Sequence, residues 1–141
     1  MHKVIKIDKC TATNFIDLIN LETGTKDHVF DNSSTVNIKY ENFEFMQEDK
    51  IYDCKISLFG EFKKRKTKNT TEVIVIDPNV AIGKVRFIEV RIGSNIYYIS
   101  AADAIGFELK EKMNYDFTRK DLIQVNNIIH GDCLNPIYLY C

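Results

Sequence analysis

Apolar and polar residues alternate along most of this chain, and the alternation breaks at short clusters of Gly, Asn, Asp and Thr. A two-residue period sets one face of an extended segment against a core and the other against water, so the pattern predicts strands. It is clearest in Tyr52-Asp53-Cys54-Lys55-Ile56-Ser57-Leu58, where Tyr52, Cys54, Ile56 and Leu58 share one face. Val4 to Ile7 makes a shorter, edge-like strand. Phe15 to Leu21 runs into Glu22-Thr23-Gly24-Thr25 and returns through His28-Val29-Phe30, a hairpin whose turn draws on the positive φ open to Gly24. Val36, Ile38 and Tyr40 alternate, and Phe43 and Phe45 follow on the opposite parity, which predicts a bulge or bend near Glu41-Asn42.

The second half has the same style. Val73 to Ile76 is a β-branched run that Asp77-Pro78-Asn79 is expected to stop, and Val85 to Ile92 leads through Gly93-Ser94-Asn95 into Ile96-Tyr97-Tyr98-Ile99, a second hairpin. Ser100-Ala101-Ala102-Asp103 has the form of a capping box, with Gly106 placed to end a short helix. Residues 118–130 fit two patterns. Thr118 and Asp121 resemble a helix start with Leu122, Val125 and Ile129 on one helical face, while Ile123 and Val125 also alternate as a strand extending Tyr115-Asp116-Phe117; the helix is the closer fit.

These elements predict a mainly β protein, an antiparallel sheet forming one or two small OB-like barrels or sandwich-like units with one or two short helices. Two divisions are consistent with it. Residues 1–62 and 73–141 could be separate β units joined by a connecting loop at 63–72, or 1–141 could be a single domain. A faint echo between Phe43-Glu44-Phe45 with Tyr52-Asp53-Cys54 and Phe107-Glu108-Leu109 with Tyr115-Asp116-Phe117 would fit a duplication.

Composition is that of an ordinary globular chain of 141 residues, 45% apolar and 28% charged. The start, MHKVIKIDKC, has no apolar run of signal-peptide length, and no segment approaches a membrane span, so the expectation is a cytoplasmic protein without membrane association. Four cysteines without a CxxC pair then read as free thiols, with Cys54 and Cys10 as small core residues. Abundant Lys, Ile and Asn with no Trp points to an AT-rich bacterial or phage genome.

Charge changes the picture at one place. The net charge is only -1, yet five of the six positions from Lys63 to Lys68 are basic; without them, 14 of the 19 basic residues face 20 acidic ones. Phosphate-binding grooves need such cations to displace condensed counterions, and single strands also need aromatic faces on which bases stack. Lys63, Lys64, Arg65, Lys66 and Lys68 are therefore the candidate phosphate contacts. Tyr97 and Tyr98, adjacent in a strand and so pointing to opposite faces, supply the candidate stacking ring.

Other chemistry is poorly supported. His130-Gly131-Asp132-Cys133 carries two metal-type ligands without a second pair, which reads as a polar turn. No nucleophile elbow or phosphate-cradling glycine loop is present, so the chain reads as non-catalytic and cofactor-free. Catalysis would require a folded pocket that sets His28 or His130 beside a cysteine or carboxylate. The leading expectation is a binding module for single-stranded nucleic acid. The alternative is a small inhibitor or adaptor from a bacterial mobile element or phage, acting on a larger bacterial protein through an exposed β edge or its acidic face.

Overall fold

The computed structural model describes residues 1–11, 13–36 and 41–134. Among the described residues ten strands form in chain order: β1 (His2–Lys9), β2 (Asn14–Asn20), β3 (Lys26–Asp31), β4 (Ile51–Tyr52), β5 (Cys54–Lys63), β6 (Thr71–Ile82), β7 (Val85–Ile92), β8 (Asn95–Ser100), β9 (Lys112–Val125) and β10 (Ile128–Ile129). Two single-turn helices, α1 (Ser33–Val36) and α2 (Gly131–Leu134), follow β3 and β10.

Five strands close a barrel. Around it run β9, β5, β8, β7 and β6, and β6 returns to pair with β9. All of its contacts are antiparallel except β5 against β8, which meet in parallel at Ser57 and Tyr98. A four-strand extension, β4-β1-β2-β3, leaves the barrel where β3 meets β9 in parallel at Phe30 and Asp121. The result is the small β barrel expected, with an added sheet whose inner face joins the same core.

That core follows from the period-two pattern. Val4, Ile16, Leu18 and Val29 from the extension are buried in one cluster with Leu58, Phe62, Val73, Val90, Ile99, Tyr115 and Leu122 from the barrel. A smaller cluster of Ile82, Val85, Phe87, Tyr98, Ile123 and Cys133 lies on the other side of the barrel wall, under α2. Buried Asp27 ties the parts together: it accepts from the Tyr97 hydroxyl at 2.8 Å and pairs with Lys120 at 2.5 Å. The β2–β3 turn also docks on the β7–β8 turn through Thr23 and Asn95 (2.6 Å) and Asn95 and Thr25 (2.9 Å).

Several expectations are corrected. Residues 118–125 are strand, not helix, because β9 carries a bulge: Cys54 and Lys55 pair with Val125 and Gln124, but Ile56 pairs with Leu122, leaving Ile123 as the inserted residue. The bulge puts Leu122 and Val125 on the same inner face three positions apart, which mimics helical spacing. Phe43–Phe45 is a single 3₁₀ turn, not a strand, started by the Asn42 side chain accepting from the Glu44 amide. Ile38 and Tyr40, expected to alternate with Val36, lie outside the described residues, and Val36 ends α1. Asp77-Pro78-Asn79 does not stop its strand; it is a bulge within β6, where Pro78 needs no ladder donor. The capping box closes differently as well. Ser100 accepts from the Ala102 amide, and Asp103 instead takes the Tyr115 hydroxyl at 2.9 Å. Cys10 is exposed, whereas Cys54 is buried as expected; with Cys133 these are free thiols.

Close packing leaves no room for a side chain at Gly60. At Gly60 the chains of β5 and β9 approach so closely that a Cβ would collide with the Asp116 carbonyl oxygen. This is where β9 has its other bulge, between the pairs Phe59 with Arg119 and Gly60 with Phe117.

Candidate nucleic-acid interface

Along β5, Leu58 and Phe62 point into the core, so Phe59, Glu61 and Lys63 must point out. The exposed basic turn begins immediately after Lys63. Its tip is hydrogen-bonded internally: the Thr67 amide donates to Thr70 Oγ1 at 2.9 Å, and the Asn69 amide donates to Thr67 Oγ1 at 3.2 Å. Lys63 pairs with Glu61 at 2.7 Å, and that hydrogen bond raises its pKa. Lys64, Arg65, Lys66 and Lys68 make no ion pair among the described residues, so their charge is uncommitted. Lys63 and Lys64 also line a concavity of about 410 Å³ together with Lys110, Lys112 and one acidic residue, Glu108. The concentrated positive charge of the sequence thus gains two lysines that are remote in the chain.

The tyrosines do not join it. Tyr97 is 3% exposed and Tyr98 is 7% exposed, so neither ring stands ready to stack a base. They do face opposite ways, as adjacent strand residues must, but both faces are covered. Tyr97 enters the main core and donates to Asp27, while Tyr98 enters the smaller cluster and donates to Glu89 at 3.3 Å. Burial is the main cause that pushes the Tyr98 hydroxyl up to about 12.

The outward rings are other residues. Phe59 is 55% exposed. The Arg119 guanidinium, its register partner on β9, lies 4.6 Å from the Phe59 ring centre and 4.8 Å from that of Phe30. Phe30 faces Phe15 across the β2–β3 pair at 5.5 Å, and Phe15 stacks flat on His28 at 4.9 Å. His28, Phe15, Phe30, Arg119 and Phe59 therefore form a continuous row across β2, β3, β9 and β5 on one outer sheet surface. Acidic neighbours hold its polar groups in position: the Asp17 carboxylate lies 2.5 Å from His28 Nδ1, and Asp121 accepts from Arg119 Nε at 2.6 Å. Sequence reasoning missed this row. Its signal was the parity of Phe59, which falls off the Leu58–Phe62 face.

A groove of about 300 Å³ opens beside the row, lined in part by Phe30, Phe59, Arg119, His130, Asp132 and Cys133. It brings His130 next to a cysteine and a carboxylate, the arrangement that catalysis would need. The chemistry of the groups is unfavourable to it. His130 Nδ1 accepts from the Asp132 amide at 3.0 Å, which places the ring proton on Nε2, facing Asn32 Oδ1 at 2.6 Å. Both ring nitrogens are occupied, and burial lowers the His130 pKa. Burial also pushes the Cys133 thiol up to about 12, so it stays protonated at neutral pH. Exposed His28 has a carboxylate partner but no nucleophile among its contacts. No group of three or more His, Cys, Asp or Glu among the described residues could hold a metal ion, and no helix among them is long and apolar enough to cross a membrane.

No family model matches the chain, and neither a curated protein nor a solved structure matches it.

Proposed function

We propose that this chain is a non-catalytic, OB-like module that binds single-stranded nucleic acid. The observation that carries the reading is the row of Phe15, Phe30, Arg119 and Phe59 on one outer surface, on the same strand face that leads into the basic turn. Stacking on aromatic and guanidinium planes is tolerant of sequence and works on bases that are not paired. Phe59 and Lys63 are four residues apart on β5, about 13 Å at the rise of a strand. That spacing lets one short oligonucleotide lay bases on the row while its phosphates meet Lys63, Lys64, Arg65, Lys66 and Lys68. Tyr97 and Tyr98 have no direct part in it; they support the wall behind the row.

The test is fluorescence anisotropy with short single-stranded DNA and RNA oligomers at low salt, compared with a duplex of the same length. Binding of single strands that weakens both in a variant with Lys64, Arg65, Lys66 and Lys68 neutralised and in Phe59→Ala is expected. Failure of the wild-type protein to bind any single strand, or wild-type affinity in either variant, overturns the reading.

A further inference from the structure

The outer surface is not uniformly basic between the aromatic row and the turn. Two residues along β5 from Phe59, Glu61 stands opposite Asp116 of β9, and Lys63 is held by Glu61. A phosphate chain leaving the row therefore crosses an acidic step before it meets free cations. Uncommitted charge resumes in the concavity of about 410 Å³, where Lys64, just after β5, lies with Lys110 and Lys112 from the segment that enters β9. None of these three lysines makes an ion pair among the described residues. Their segment is anchored on the barrel. The Val75 amide donates to the Glu111 carbonyl at 2.8 Å, the Lys110 amide donates to Met113 Sδ at 3.4 Å, and the Phe107 ring packs 5.9 Å from that of Phe62. Like charges that converge on a concave protein wall focus their field on whatever enters it, which charges spread over a convex turn do not.

We propose that Lys110 and Lys112, with Lys64, form a second phosphate site that holds the backbone of the bound strand beyond the acidic step. The proposal rests on the single-strand reading above. One strand is then fixed twice, by its bases on the row and by its phosphates in the concavity. The two holds lie within reach of each other: the roughly 13 Å from Phe59 to Lys63 is spanned by about four nucleotides at about 3.4 Å of rise each. Glu108 is the acidic residue of the lining, and it opposes the phosphate.

Anisotropy of an oligo(dT) long enough to span both holds, followed across a salt series, tests it. Neutralising two true phosphate contacts in the variant Lys110→Gln with Lys112→Gln should flatten the slope of log affinity against log salt by about 1.4, at about 0.7 per contact. Both side chains are exposed, so the core is untouched. The control removes the same net charge elsewhere: Lys9→Gln with Lys50→Gln, exposed residues at the β4–β1 end of the extension, should leave the slope unchanged. Glu108→Gln should tighten binding at low salt. An unchanged slope in the Lys110 and Lys112 variant, or equal flattening in the control, overturns the second site but leaves the row and the basic turn standing. Absence of binding by the wild-type protein overturns the single-strand reading and the second site with it.

Discussion

Phe59 is the residue on which the interface depends most. Its ring is more than half exposed, so truncation removes little core packing, yet it is the outer end of the row. Phe59→Ala should lower single-strand affinity by about tenfold, within the range of one base-stacking contact, with the unfolding midpoint nearly unchanged. Anisotropy and a urea titration on the same sample check both halves. His130 sets a pH dependence of the opposite kind, acting on stability. Its pKa is lowered by burial, so below the ordinary value of 6.5 the unfolded chain takes up a proton that the folded chain refuses. Stability should therefore fall as pH drops from about 7.5 to 5.5, and the urea midpoint of a His130→Gln variant should slope less over that window. The aromatic candidates show what single residues reveal. Tyr97 and Tyr98 were correctly placed on opposite faces of a strand, but whether a face is covered depends on β3 and α2, which lie far away in the chain.

At the scale of elements, the hairpins β2–β3 and β7–β8 and the strand β5 were legible, because each has a local turn signal or a clean alternation. β9 was not, since its bulge at Ile123 converts a period of two into a spacing of three. The basic turn was legible as a concentration of charge. Its convergence with Lys110 and Lys112 depends on the pairing of β5 with β9, where Lys63 meets Asn114, and that pairing has no local signature. Replacing Lys64, Arg65, Lys66 and Lys68 with neutral residues should flatten the dependence of log affinity on log salt by about 0.7 per lost contact, measured by anisotropy across a salt series. The edge of β1 is an element of another kind. Its ladder is interrupted at Ile5, and the Ile7 amide that would offer itself to another strand donates to Glu48 at 3.1 Å. Such features guard edges against pairing, which weakens the case for a partner that adds a strand here. Glu48→Ala should expose that amide and produce concentration-dependent association, visible by light scattering after size-exclusion chromatography.

For the molecule as a whole, the joint between barrel and extension matters most. Asp27, Tyr97 and Lys120 meet there on three strands, and the row of rings crosses the same joint from β3 to β9 on the outer surface. Asp27→Ala leaves Lys120 without its partner and should cost about 3 kcal/mol, the scale for breaking a buried pair. Tyr97→Phe, which removes a single hydrogen bond, should cost about 1 kcal/mol; urea denaturation separates the two. If the joint aligns the row, Asp27→Ala should weaken single-strand binding more than Tyr97→Phe does. β9 also pairs with β3, β5, β6 and β10, and so belongs to every part of this architecture. Because β9 comes late in the chain, a ribosome must finish residue 125 before the barrel can close or the extension can attach. Until then the earlier hairpins wait with open edges, a topology of distant pairings that folds slowly and leaves the nascent chain dependent on protection from its neighbours.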